Sequence, residues 1–251
     1  MAPTHLIVSE KLSQFSEVRY AMSTREGGVG EPPFGMNLSY HVGDEEANVI
    51  QNRKIFFESI GLDLTRAAFP LQCHSSKVKV AAEPGLYEEC DALVTSMPDL
   101  PLVVTVADCL PIVLYDYRRT ALGLVHAGWK GTAERITENA IRLMIQEFQT
   151  STSHLIVYLG PSAGVCCYEV GPEVARQFPE RVVERRAGKL YLDLKQANLQ
   201  QLLSWGVRRE QIEISSYCTI CHPELFHSYR RDREQSGRMM AVASLISQTS
   251  E

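Results

Sequence analysis

Short apolar runs alternate along this chain with longer segments of helical periodicity. Residues 102–106 and 111–115 read as buried strands, and 121–125 as a third. Further strands are predicted at 18–24, 67–71, 77–81, 92–95, 154–159, 190–194, 212–217 and 239–245. Asp44 is positioned to cap a helix over 45–60, with Ile50, Phe57 and Ile60 on its apolar face and Gly61 beyond its end. Thr132 is expected to start a long helix to Phe148, buried through Ile136, Ala140, Leu143, Met144 and Phe148. A short helix should begin at Pro172 and another should cover 196–205. Strands and helices interleave throughout, so the fold class is α/β with mixed sheets. Without a linker, a low-complexity run or a repeat, residues 1–251 are read as a single domain.

The polar interruptions carry the chemistry. Asp108-Cys109 separates two apolar runs, and Pro111, which cannot donate to a ladder, is expected to break or bulge the strand there. His126 ends the third run, after which Gly128 and Gly131 open a helix. With His74, from Gln72-Cys73-His74-Ser75-Ser76, these supply one thiolate and two imidazoles. That set suits a zinc ion with its fourth position open. A Cys-His hydrolase, with Cys109 as nucleophile and His126 as base, needs the same two side chains together, and sequence does not separate the two. Packing alone also accounts for a cysteine in an apolar strand.

Composition narrows the partners. A net charge of −5 gives no footprint for nucleic acid. No run approaches a membrane span, and the N-terminal residues 1–10 lack the features of a signal peptide. Seven cysteines without an export signal read as reduced thiols in the cytoplasm. Cys218-Thr219-Ile220-Cys221-His222 has the form of a haem attachment sequence, but no haem is expected in that compartment. A second structural metal is not expected either: Cys218 and Cys221 would need another pair, and the adjacent Cys166 and Cys167 are poorly spaced for it. Arg230, Arg231 and Arg238 beside Tyr229, with Arg25 in a glycine-rich loop, form the basic elements suited to an anionic group.

At these residues the chain resembles the YfiH-like, or laccase-domain, family. The matching segments include Thr24-Arg25-Glu26-Gly27-Gly28, Asn37-Leu38, Gln72-Cys73-His74-Ser75 and Ala107-Asp108-Cys109-Leu110-Pro111. They continue through His126-Ala127-Gly128-Trp129-Lys130-Gly131, Cys167-Tyr168-Glu169-Val170 and Ser228-Tyr229-Arg230-Arg231-Asp232. Gly30 and Arg233-Glu234-Gln235 depart from the family pattern. The resemblance implies an α/β/β/α layered fold and one zinc ion per chain on His74, Cys109 and His126. It also implies phosphorolysis of adenosine, inosine, guanosine and methylthioadenosine, with adenosine deamination beside it. Other relatives are described as peptidoglycan editing factors, which implies amide hydrolysis on a UDP-muramyl precursor as the alternative. Copper is disfavoured, because seven histidines with no His-X-His pair do not supply a multicopper oxidase. His74, Cys109 and His126 are thus the expected catalytic residues; Arg25, Asn37, Tyr168 and Arg230 are expected to meet nucleoside and phosphate. Asp108 and Glu169 are candidate proton shuttles. A monomer or weak homodimer is expected, with no nucleic-acid or membrane partner.

Overall fold

The computed structural model describes residues 5–247. The apolar runs become two six-stranded sheets. In spatial order the first contains Leu6–Ile7, Val18–Ser23, Met239–Leu245, Leu102–Val106, Ala68–Pro70 and Gly85–Tyr87. The second contains Ile212–Ile214, Leu155–Leu159, Leu110–Asp116, Ala121–Ala127, Ala92–Thr95 and Val78–Val80. Both mix parallel and antiparallel pairs.

Period-two alternation decides how the sheets stack. Leu102, Val104 and Val106 of the first sheet pack between the sheets against Val113, Tyr115, Leu122 and Leu124 of the second. Val103 turns outward with Ala21, Met240 and Val242 to meet Phe56, Phe57 and Ile60 of the helix region at Glu46–Ser59. On the opposite side Ile112, Leu114 and Val125 meet Ile136, Ala140, Ile141 and Met144 of helix Ile136–Phe148, and Leu199 and Leu202 of Leu194–Ser204. Helices therefore cover both outer faces of a two-sheet core, the α/β/β/α arrangement. A small three-stranded sheet, Glu169–Val170, Lys189–Leu192 and Val183–Arg186, packs at one end. No helix among the described residues is long and apolar enough to cross a membrane. The first four residues of the N-terminal segment lie outside the described residues.

Three local expectations are corrected. Pro111 lies inside the strand Leu110–Asp116, opposite His126. It sits one residue beyond the ladder with Leu155–Leu159, so its missing N–H leaves no gap there, and its carbonyl accepts from Gly160 N at 2.9 Å. The long helix is two helices, Trp129–Ala133 and Ile136–Phe148, separated at Arg135, whose φ is 65°. Thr132 is inside the first of them, where its hydroxyl accepts from Asn198 Nδ2 at 3.1 Å. Asp44 lies one residue before the observed cap Glu45; its Oδ1 accepts from Glu45 N and Asn48 Nδ2, and Ile50 on the expected apolar face is exposed.

Candidate metal and active site

The hairpin register brings the first two candidates together. Leu110 pairs with Ala127 and Pro111 with His126, so Cys109, just before the strand, meets the end of the partner strand. His126 shares the inter-sheet side with Leu122 and Leu124 by alternation. His74 arrives on the loop after Ala68–Pro70, with a left-handed backbone (φ 57°). The ligand atoms of His74, Cys109 and His126 all lie within 4.8 Å of one another. His126 is buried, Cys109 half-buried and His74 exposed, so the trio opens on the surface at one side.

Asp91 assembles this group, and sequence reasoning gave it no role. Its carboxylate is wholly buried and accepts from His74 N at 3.0 Å, Ser75 N at 2.7 Å and Ser75 Oγ at 2.9 Å. It also holds His126 Nδ1 at 2.9 Å, which leaves Nε2 to face the other two side chains. Burial by itself would raise the Asp91 carboxyl; the bonds from His126 and Ser75 outweigh it and hold it well below the usual carboxylate range. Burial likewise opposes the Cys109 thiolate, but the charge and hydrogen bond of His126, aided by His74, bring the thiol down to about 6. For His126 burial disfavours the cation, and Cys109 with Asp91 overcome it and raise the ring to about 9. In the sequence Asp91 is an acid directly before a buried strand, heading the segment Asp91-Ala92-Leu93-Val94-Thr95 that shares in the family resemblance.

The site fits a metal on three counts. A soft thiolate with two imidazoles is a zinc donor set with a fourth position open. A carboxylate on the second ring nitrogen is the usual outer partner of a ligating histidine. A Cβ at Gly128 would stand 3.0 Å from Cys109 Sγ and 3.4 Å from His74 Cδ2, so only glycine leaves the sulfur this approach.

Around the trio, the structure sorts the polar residues. Tyr168 is buried, near enough to Cys109, Asp108 and Arg230 to feel their charges, and burial keeps its phenol protonated. The Arg230 guanidinium lies 5.0 Å from the Tyr168 ring and donates to Glu169 O. Arg238 faces Asp108 and Cys109, with its guanidinium 5.3 Å from the Tyr229 ring. Arg230 lines a cavity of about 530 Å³ with Glu169, Lys189 and Arg233. Arg238 lines one of about 360 Å³ with His41, Arg233 and Ser236. No ligand of the trio lines either.

Other expected residues have structural duties. Arg25 donates to Pro223 O and Pro33 O, each at 3.0 Å, and so ties two loops together. Asn37 is wholly buried: its amide donates to Ser39 O and Asp44 Oδ2, and its oxygen accepts from Ser39 N and Arg238 N. Arg231 grips Asp232 and the carbonyls of Thr219, Ile220 and Phe226. Arg230 and Arg231 occupy a short helix, Tyr229–Asp232. Asp108 adopts φ 86° and accepts from Thr219 Oγ1 at 2.6 Å, Ser228 Oγ at 3.0 Å and Arg230 N at 2.7 Å. It therefore positions Arg230, and its oxygens are taken up away from any shuttle role. Glu169 turns to Lys189, at 2.8 Å. The objection that Cys166 and Cys167 are badly spaced is also corrected, because the fold brings both against Cys221.

The family model described as multi-copper polyphenol oxidoreductase laccase matches residues 19–246. A Deinococcus radiodurans protein named purine nucleoside phosphorylase is 37% identical over 236 residues, covering 91% of this chain and 89% of its own. Purine nucleoside phosphorylase YlmD of Bacillus subtilis is 32% identical over 247 residues, covering 91% and 89%. Among solved structures, Bacillus licheniformis YfiH superposes with a TM-score of 0.90 at 34% identity, over 97% of each chain. Among the described residues two groups could hold a metal ion, the His74–Cys109–His126 trio and a cluster of four cysteines. Two stacked sheets and a His-Cys-His centre held by a buried aspartate thus sit in a chain that belongs to the YfiH-like family of laccase-domain proteins.

Proposed function

We propose that this protein is a zinc-dependent purine nucleoside phosphorylase, acting on adenosine, inosine, guanosine and methylthioadenosine, with adenosine deamination at the same centre. The observation that carries this reading is the His74–Cys109–His126 trio with Tyr168, Arg230 and Arg238 gathered beside it. The name carried by the curated relatives supports the phosphorylase half. Zinc there would act as a Lewis acid and bring the pKa of a bound water to about 7, as deamination requires.

The chain's own residues fit the rest. Phosphorolysis breaks the bond from C1′ to the base and forms one from C1′ to a phosphate oxygen. Arg238 feels the charge of Cys109 and Arg230 lies over Tyr168, and such forks hold phosphate by paired, charge-assisted bonds. Tyr168, uncharged and largely buried, offers a ring face and a hydroxyl to a purine. Arg25, bound to carbonyls, supports the loop behind them. The test is product formation from inosine, with and without phosphate, in zinc-loaded and chelated protein. Ribose 1-phosphate release that requires both is expected; none from any of the four nucleosides sinks the reading.

One observation favours a second reading. Cys109, His126 and Asp91 stand in the order nucleophile, base and orienting carboxylate, the arrangement of a cysteine hydrolase. Full amide-hydrolase activity on a UDP-muramyl peptide by metal-free protein would select it.

A further inference from the structure

On the rim beside the candidate active site, four cysteines from two distant stretches converge. Cys166 and Cys167 follow the turn at Gly164, and Cys218 and Cys221 close the turn before His222. Their four sulfurs lie within 4.8 Å of one another. Cys167 Sγ is 2.9 Å from Cys221 Sγ, and Cys166 Sγ is 3.4 Å from it. We propose that these four thiols form a second, structural metal site, closed around a single zinc ion and separate from the His74–Cys109–His126 centre.

The backbone is built for this convergence. Ser162 and Cys218 pair in a parallel bridge, and Thr219 N donates to Ser162 O at 3.0 Å. Cys167 N then turns back onto Gly164 O at 3.0 Å, which folds both adjacent cysteines toward the 218–221 turn. Gly164 N donates to Cys218 Sγ at 3.2 Å, a bond that favours a thiolate sulfur. A Cβ at Gly164 would lie 3.1 Å from Cys166 Sγ and 3.4 Å from Cys218 Sγ, so the space beside the sulfurs is kept clear.

Size and charge choose the ion. Zinc–sulfur bonds of ~2.3 Å in a tetrahedron put the sulfurs about 3.8 Å apart. The sulfurs here all lie within 4.8 Å of one another, a set that one ion can span once the Cys167–Cys221 pair opens from 2.9 Å. On binding, the thiols release their protons and the four thiolates leave the complex with two negative charges in excess. Lys195 is close enough to Cys218 and Cys166 to feel their charge, and its ammonium is fixed by Ser215 O at 2.6 Å and Tyr217 O at 2.7 Å.

Such a clip would join two stretches that both border the candidate active site. Tyr168 follows Cys167 directly, while Thr219, next to Cys218, donates to Asp108. The carbonyls of Thr219 and Ile220 also receive Arg231. Binding closes a loop of some fifty residues, and a cross-link of that kind restricts the unfolded chain strongly.

The experiment uses a His74→Ala/Cys109→Ala chain, in which the first centre cannot contribute, purified under reducing, oxygen-free conditions. Elemental analysis should find one zinc per chain. Cobalt added to the chelated protein should give an intense thiolate-to-cobalt charge-transfer band. Adding Cys221→Ser, or Cys166→Ser with Cys167→Ser, should abolish both signals. Mass mapping of alkylated cysteines keeps the question decidable should those variants misfold: with zinc present the four thiols should be protected, and chelation should expose them. A metal-free double variant, ready alkylation of all four thiols before chelation, or a Cys167–Cys221 disulfide in the reduced preparation each overturns the proposal.

Discussion

With no exposed surface, the Asp91 carboxylate accepts from Cys73 N, His74 N and Ser75 N of one loop and from His126 of a strand in the second sheet. Because its folded pKa lies below its unfolded value, Asp91 contributes stability that is complete above the ordinary carboxylate range. That contribution is lost as pH falls through the folded pKa, where the proton taken up removes the acceptor. Wild-type stability should therefore fall on acidification, and Asp91→Asn should flatten that acid limb; equal slopes in denaturant titrations at several pH values would contradict it. Asp91→Ala leaves His126 and three N–H groups without their acceptor, and a destabilisation of about 3–5 kcal/mol is expected from chemical unfolding. Zinc affinity should fall roughly 10–100-fold in Asp91→Asn, read by competition with a chelating dye. At the rim, Arg230→Ala should raise the phosphate KM about 30-fold, corresponding to ~2 kcal/mol, while deamination, which uses no phosphate, falls far less. Unchanged phosphate dependence would move the anion site elsewhere, with Arg238 the next to test.

Helices and loops set how closely these residues approach. Trp129–Ala133 starts at Gly128 directly after the His126 strand, and its Gly131 packs so near the Ser75 carbonyl that a Cβ would lie 2.8 Å from that oxygen. Since the obstacle is backbone, relief requires moving either the helix or the loop that carries His74. Gly131→Ala should cost about 1–3 kcal/mol in unfolding free energy through overpacking and should also weaken metal binding, because Ser75 is bonded to Asp91. Stability loss with unchanged metal affinity would show that the loop yields independently of the site. The break at Arg135 belongs to the same scale: the first helix follows the site, and the second is free to lay Ile136, Ala140 and Met144 against the sheet.

Across the whole molecule, the inter-sheet layer supports everything else. Leu122 is wholly buried between the sheets, on the strand that carries His126. Leu122→Ala should lose about 2–5 kcal/mol, from lost burial plus the cavity left behind. Metal content of the protein that remains folded should be unchanged, since His74 and Cys109 lie outside the strands and Asp91 fixes His126 at the far end of its strand. A fall in metal stoichiometry at temperatures where circular dichroism still shows native structure would instead couple the core to the site.

Local pattern determined a good deal of this. Period-two burial is written in adjacent residues, so Leu102–Val106, Ala92–Thr95 and Met239–Leu245 match their expected bounds. The candidate ligands His74, Cys109 and His126 were visible because histidine and cysteine stand out at the ends of apolar runs, and the structure brings them together. What pattern could not supply was partnership across long separations. Asp91 reads as any acid before a strand until the fold presents it with a loop on one side and His126 on the other. For Arg25 and Asn37 the fold adds partners that the sequence does not show, backbone carbonyls for the first and backbone amides and carbonyls for the second. Asp108 looked free to carry protons until its oxygens met Thr219, Ser228 and Arg230 N. Cys166 and Cys167 were judged by spacing along the chain, whereas a metal responds only to distance in space, and the Ser162–Cys218 bridge supplies that distance. Residue type and periodicity are local and survive in the sequence; hydrogen-bond saturation and ligand convergence depend on contacts between segments far apart, and those the tertiary structure alone decided.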